Sequence, residues 1–344
     1  MSDMYREPRN GIKVMTTFGC GGGSSMGYKR AGCDVVAAND IDEEMAWHYR
    51  TNLNPRHYFL CPIIDLLKAD LPDEVMNLDI LDGSPPCSTF STSGNREKDW
   101  GKKRKFIEGG AEQVLSDLFF DFIAVAERLQ PKVIVAENVK GMIIGNARGY
   151  VRMVCERLRA AGYRTQVFLV NAADCGVPQK RERVFFCAVR TDLGLPPLEL
   201  KPTHRWITTQ EAISDLADRP EAERFEDVGG AVLQRLWSIA KPGASFRDFS
   251  ARLNGSRNHF NFFKLNKAKP APTVTATPNL MHWDECRLIT LAESIRLQSF
   301  PDDYTFKSAH KGKYLIGMSV PPKMMEVVAR AVCSQWLGVK YGKA

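Results

Sequence analysis

The feature that most constrains this chain is an alternation. Short apolar runs of strand length are followed repeatedly by segments with helical spacing. "IKVMTTF" precedes "SSMGYKRAG", and "DVVAAND" precedes "DEEMAWHYRTN". Further on come "LDILDG", the periodic "AEQVLSDLFFDFIAVAERLQ", and "KVIVAEN" followed by "YVRMVCERLRAAG". A period of two that keeps giving way to a period of 3.6 predicts βα units. Such units fold as an α/β, doubly wound, Rossmann-like sheet with helices on both faces. "YRTQVFLVNA" and "RVFFCAVR" read as two further strands with little helix between them, so the sheet is expected to be mixed, with an antiparallel pair at that end.

After Arg190 the alternation stops. "TDLGLPPLELKPTH" is Pro-rich and linker-like, and regular helix signals return only at "TLAESIRLQSF" and "PPKMMEVVARAVCSQWL". In the latter, Pro-Pro marks the helix start. This predicts a first domain over 1–190 and a smaller second one over 191–285. The segment 286–344 follows, its last helix rejoining the first domain.

Length and charge narrow the class. The 344 residues are 44% hydrophobic and 25% charged, enough for a full core, and no run of about 18 apolar residues could span a bilayer. The polar start "MSDMYREPRNG" lacks a secretory apolar stretch, which predicts a cytoplasmic protein. Nine cysteines without a C-x-x-C pair fit a reducing compartment and no metal site. The net charge of +7 is unevenly spread: residues 211–227 carry a balance of −5, and residues 235–269 one of +7. The basic stretch interleaves Trp237, Phe246, Phe249, Phe260, Phe262 and Phe263. Both a nucleic-acid surface and an ordinary core with solvated basic faces accommodate that pattern.

The chemistry-bearing residues cluster at predicted strand ends. The first strand runs into "TTFGCGGGSSMG", a glycine turn that lets a ligand approach backbone N–H groups. The second ends in "NDID", where Asp40 is placed to accept ribose hydroxyls. Together they predict an adenosine-containing cofactor at the carboxyl edge of the sheet. "LDILDG" delivers "SPPC" to the same edge, and the apolar run "VIVAEN" ends in Glu137, a carboxylate that needs a partner or a task there. "QKRER" adds Arg181 and Arg183 before another strand. Each has a bland explanation: a buried cysteine, a salt-bridged glutamate, a solvated turn. Packing alone does not readily explain their joint placement.

In this order, "FGCGGGSSMG", "SPPCSTFSTSG", "AENVKGM", "QKRERVFF", "RLITLAESIRLQSFP" and "GMSVPP" resemble the DNA (cytosine-5) methyltransferase family of prokaryotes and phage. The resemblance covers the chain apart from roughly residues 191–270, which match that family's variable target-recognition region in position only. It implies methyl transfer from S-adenosyl-L-methionine to carbon 5 of a flipped-out cytosine in double-stranded DNA, by a monomer without metal. It assigns Cys87 the role of nucleophile adding to carbon 6, and Glu137 the binding of the ring at N3 and the exocyclic amine. Arg183 would contact the base carbonyl, with Arg181 supporting the site.

For the cofactor, the resemblance implies Phe18, Cys20, Gly22 and Gly23 at the glycine turn, Asp40 on the ribose and Ile41 on the adenine face. Asp65 would take the adenine amino group, with Leu66 beside it. Pro85, Leu118 and Asn138 add to the pocket, and Met318 and Ser319 complete it near the methionine end. Pro86, Ser88, Ser91 and Ser93 would meet the substrate, in a basic loop that closes over DNA.

Three positions depart from the family pattern. Cys20 stands where a glycine is usual, Ser88 follows the nucleophile where Gln is commoner, and Met318 replaces an Asn. The last departure predicts altered cofactor affinity or a cofactor carrying a group other than methyl. Amino-methylating enzymes place an aromatic, not a thiol, after their prolines. The same residues would also suit methylation of transfer RNA, and the fold a non-catalytic DNA-binding role.

Overall fold

The computed structural model describes residues 10–86, 103–104, 113–114, 118–144, 147–216, 230–247, 249 and 262–342. Its centre is a seven-stranded sheet. The elements run β1 (Lys13–Thr17), α1 (Gly23–Arg30), β2 (Asp34–Asp40), α2 (Glu43–Leu53), β3 (His57–Leu60), α3 (Asp73–Met76) and β4 (Ile80–Gly83). They continue with α4 (Leu118–Leu129), β5 (Val133–Val139), α5 (Arg148–Ala160), β6 (Tyr163–Asn171) and β7 (Glu182–Arg190). The strand order is β3-β2-β1-β4-β5-β7-β6. Strands β3 to β5 are parallel neighbours, whereas β7 runs antiparallel to β5, with Glu137 opposite Phe185 and Val139 opposite Arg183. The mixed α/β sheet expected from the alternation is therefore present. Its order reverses between β1 and β4, the switch point outside which open sheets of this kind bind ligands.

Local chemistry sets the elements. The Asp42 side chain accepts the backbone N–H groups of Glu44 and Met45 and so caps α2, whose first turn also carries Glu43 and Glu44. Gly22 caps α1 at φ 78°, and a Cβ there would lie 2.1 Å from Leu53 Cδ1, so this corner requires glycine. The central strands are buried almost throughout, as expected of parallel strands covered on both faces. One face packs its core with Met15, Leu81, Ile134, Ala136, Phe122 and Phe186, among others.

The chain divides into two compact units. The first is drawn from Met1–Val170, Glu182–Pro202 and Met324–Ala344, the second from Asn171–Arg181 and Thr203–Lys323. These limits differ from the breaks in composition, because packing, not periodicity, assigns the short segment before β7 to the second unit. In the first unit most of helix α10 (Pro322–Trp336), the last of the chain, packs near α1. Glu326 pairs with Arg30, Cys333 Sγ lies 3.5 Å from Cys33 Sγ, and Tyr341 donates to the Ala31 carbonyl.

The second unit holds α6 (Thr209–Ile213), α7 (Gly230–Ile239), β8 (Phe263–Lys264), β9 (Leu280–Met281), α8 (Leu291–Leu297) and α9 (Ala309–Met318). Here four of the six aromatics of the basic stretch, Trp237, Phe246, Phe249 and Phe262, belong to a core cluster. Phe246 is buried with Leu233, Leu236 and Met281, while Trp237, Phe249 and Phe262 pack against that cluster. Lys264 lies 3.8 Å above the Trp237 ring and donates to the Trp237 carbonyl. The exposed bases Arg235, Lys241, Arg247, Lys267 and Lys269 remain on the surface. Phe260 lies outside the described residues. No described helix is long and apolar enough to cross a membrane.

Candidate active site

The sheet order brings the carboxyl ends of β2, β1, β4 and β5 side by side, and with them Asp40, the glycine turn, Pro85 and Glu137. The turn after β1 holds two non-glycine residues in the left-handed region, Phe18 at φ 54° and Cys20 at φ 44°. Cys20 therefore adopts, at some strain, a conformation that glycine would enter freely. Its N–H donates to Asp40 Oδ2 at 2.8 Å, and the Asp42 N–H donates to Asp40 Oδ1 at 3.0 Å. Burial raises the Asp40 pKa, and the backbone donors of Asp42, Cys20 and Ile41 oppose the rise.

The other expected cofactor positions differ in exposure. Phe18, Ile41 and Cys20 are half-buried, Gly22 and Gly23 are buried, and Asp65 is exposed in the turn Ile63–Leu67. Leu66 and Leu118 are members of the hydrophobic core, with Leu66 fully buried.

At the exit of β4, Pro85 is buried and Pro86 half-buried. Asn138 Nδ2 donates to the Pro85 carbonyl at 3.0 Å, and its Oδ1 accepts the Val139 N–H. The strand end leading to residue 87 is thus fastened to β5. Cys87, Ser88, Ser91 and Ser93 lie outside the described residues.

Glu137 is 8% exposed and forms an ion pair with Arg183, Nε to Oε1 3.0 Å. The antiparallel pairing of β5 and β7 brings these two side chains together. Burial lowers the Arg183 pKa, and the Glu137 carboxylate works against that shift. Arg183 also donates to the Glu182 carbonyl.

Arg181 behaves differently. Within the second unit it is buried and donates to three main-chain carbonyls, those of Val274 (2.9 Å), Gly317 (2.9 Å) and Ser319 (3.2 Å). Gln179 Nε2 donates to the Leu297 carbonyl and to Gln298 Oε1, its Oε1 accepts the Val274 N–H, and Gln298 Nε2 donates to the Ser319 carbonyl. The two glutamines and Arg181 form one buried clamp that fixes residues 274 and 317–319. Met318, in that clamped segment, is 48% exposed, and the Ser319 hydroxyl donates to Leu315.

Two parts of this arrangement are not singled out by the sequence patterns. Gln179 and Gln298 sit inside "QKRERVFF" and "RLITLAESIRLQSFP", but their pairing spans 119 residues. Asp82, in "LDILDG", is 1% exposed, and its pKa is pushed up to about 8 by burial and by the charge of Glu137. Like Glu137, it is an acid near the end of an apolar strand and needs a partner or a task there.

The profile of the C-5 cytosine-specific DNA methylase family matches residues 12–334. Among curated relatives, the type II methyltransferase M.DdeI of Desulfomicrobium norvegicum is 31% identical over 93% of this chain and 88% of its own. M.NgoFVII of Neisseria gonorrhoeae, also a type II methyltransferase, is 28% identical over 94% and 87%. A solved putative DNA modification methyltransferase encoded within an Escherichia coli prophage shares the fold, with TM-score 0.71, 21% identity and coverage of 94% of this chain and 99% of that one. With that family's match running through both units, and Glu137 and Arg183 paired at the strand edge, the chain belongs to the C-5 cytosine-specific DNA methylase family and is a DNA cytosine methyltransferase that draws on a methyl donor.

Proposed function

We propose that the protein methylates cytosine in a specific sequence of double-stranded DNA through a covalent adduct of Cys87 with carbon 6 of the flipped-out base. The observation that carries this reading is the buried Glu137–Arg183 pair at 3.0 Å, with Glu137 on the strand neighbouring the one that leads through Pro85 and Pro86 to Cys87. Glu137 would hold the ring at N3 and the exocyclic amine, drawing electron density as the thiolate adds. Arg183 would bind the base carbonyl and keep the Glu137 carboxyl oriented. Addition makes carbon 5 enamine-like and able to accept a methyl group. Loss of the carbon 5 proton and of the thiolate then restores the aromatic ring. A base stacked in a duplex cannot enter such an edge, so the nucleotide must swing out.

The methyl donor we infer is S-adenosyl-L-methionine, which when bound supplies a methyl group activated on a sulfonium. The residues present fit it. Asp40 offers a half-buried carboxylate that already accepts from the backbone of Cys20, Asp42 and Ile41 and keeps acceptor capacity for a ribose hydroxyl. The Gly22-capped start of α1, with no acidic side chain in its first turn, leaves N–H groups for an approaching ligand. Phe18, Cys20, Gly23, Ile41, Asp65, Pro85, Leu118, Asn138, Met318 and Ser319 keep the roles expected for them. Leu66, fully buried, would act from behind as support.

The second unit would read the DNA sequence, its exposed bases meeting phosphates. The protein would act as a monomer in the cytoplasm, where DNA and a reduced thiol coexist.

Trapping on DNA containing 5-fluorocytosine tests the reading, because the fluorine cannot leave as a proton does. The wild type should form a complex stable to detergent, and Cys87→Ala should form none while still binding donor. A wild type that methylates cytosine without ever forming the adduct would refute the covalent route. Base-resolution sequencing that finds no modified cytosine would refute the function.

A further inference from the structure

The buried carboxyl of Asp82 lies where three elements of the proposed site converge. On β4 it is opposite Thr16 of β1 and Val135 of β5. Glu137, two residues beyond Val135, falls on the same face of the sheet. From α1, the fully buried Tyr28 hydroxyl donates to Asp82 Oδ1 at 3.1 Å, and the Ser24 side chain bonds to the same carboxyl. Ser24 is the second residue of α1, directly after the glycine turn. A third link uses the Asp82 main chain: the Thr17 hydroxyl, at the end of β1, donates to its carbonyl at 3.0 Å.

The next residue tightens this junction. A Cβ at Gly83 would lie 2.6 Å from both Thr17 Oγ1 and a Phe122 ring carbon, so β1, β4 and α4 meet there without slack. Pro85, Pro86 and Cys87 follow. Among the described residues no Lys or Arg offsets Asp82. The ionisable groups that feel it are Tyr28 from α1, Tyr49 from α2, Glu137 from β5 and Cys187 from β7. A buried carboxyl without a cation is costly and is retained only when its hydrogen bonds hold something in place.

We propose that Asp82 is a positioning residue for methyl transfer, tying the first turn of α1 beside the donor site to the strand end that presents Cys87. Seating of the donor and placement of the β4 end that precedes Cys87 are then one event. This rests on the function proposed above, and adds a coupling between its two halves.

The test measures two quantities: donor affinity, by calorimetry with S-adenosyl-L-homocysteine, and the single-turnover methylation rate on duplex DNA. Asp82→Leu leaves Tyr28 and Ser24 without their acceptor, and should weaken donor binding and slow methylation by about tenfold each. Asp82→Asn keeps an acceptor oxygen and should return both to within about threefold of wild type. Should Asp82→Leu fail to fold, Tyr28→Phe and Ser24→Ala cut the same links from the helix side and should reproduce the donor defect.

Wild-type affinity and rate in a folded Asp82→Leu protein, or in both helix variants, overturn the inference. A loss of thermal stability alone, with both quantities unchanged, overturns it as well. Failure of the underlying reading looks different: the wild type itself would then bind no S-adenosyl-L-homocysteine and form no adduct with 5-fluorocytosine DNA.

Discussion

Asp82→Asn should change how stability depends on pH, and the sign follows from where the carboxyl sits. Burial, reinforced by the charge of Glu137, holds its pKa near 8 in the folded protein, against about 3.9 in an unfolded chain. Below the lower value both states are protonated and Asp82 contributes no slope. Between the two, the folded state keeps a proton that the unfolded state has lost, so stability falls as pH rises, by about 1.4 kcal/mol per unit. Above about 8 the slope vanishes again. The whole window amounts to about 6 kcal/mol.

Asparagine is neutral throughout and removes this component. The difference in melting temperature between Asp82→Asn and wild type should therefore move in favour of the variant from pH 5 to pH 8, by about 2 °C per unit. Tyr49 and Cys187, both pushed up to about 12, stay neutral over that range and do not contribute. Thermal denaturation at half-unit steps of pH in matched ionic strength measures the difference. A difference that does not vary with pH would show that Asp82 is ionised in the folded protein and refute the reasoning. In a Glu137→Gln background the window should narrow, because one cause of the raised pKa is gone.

Glu137→Gln itself should lower the single-turnover rate by roughly 100-fold or more, and should destabilise the fold by about 3 kcal/mol as Arg183 loses its buried counter-charge; rapid quench and calorimetry check the two parts. Arg181→Lys, one ammonium in place of a planar donor serving three carbonyls, should cost about 2–4 kcal/mol. Its signature is faster hydrogen exchange around residues 274–276 and 317–319, with the seven-stranded sheet unchanged. Met318→Asn, at a half-exposed position, should alter affinity for S-adenosyl-L-methionine by about three- to tenfold in calorimetry, or change which donor is accepted. Identical affinity and preference would remove any role for that departure from the family pattern.

Much of this fold is legible in the chain because the relevant signals are local. A change of period from 2 to 3.6 needs only neighbouring residues, and it locates β1, β2, β4, β5, β6 and β7. The Pro-Pro pair likewise marks the start of α10 at Pro322. The edge strand β3 has no such signature: its four residues are all partly or fully exposed, so no apolar alternation sets them apart. In the basic stretch, aromatic spacing fits base stacking and core packing alike. Only the cluster around Phe246 distinguishes them.

The sequence by itself determines that this is a doubly wound α/β chain and supplies the ordered motifs of a cytosine methyltransferase, since periodicity and motif order are properties of the chain. The tertiary structure alone decides what the polar residues within those motifs do. Arg181 and Arg183 are two residues apart and of the same type, yet one clamps carbonyls 93 to 138 residues away and the other pairs with Glu137 across a strand. Asp82 and Glu137 look alike as acids in apolar strands, but one faces a tyrosine of α1 and the other an arginine. The physical reason is that a buried polar group takes its role from whichever partner the crossovers bring within about 3 Å, and that partner is distant in sequence.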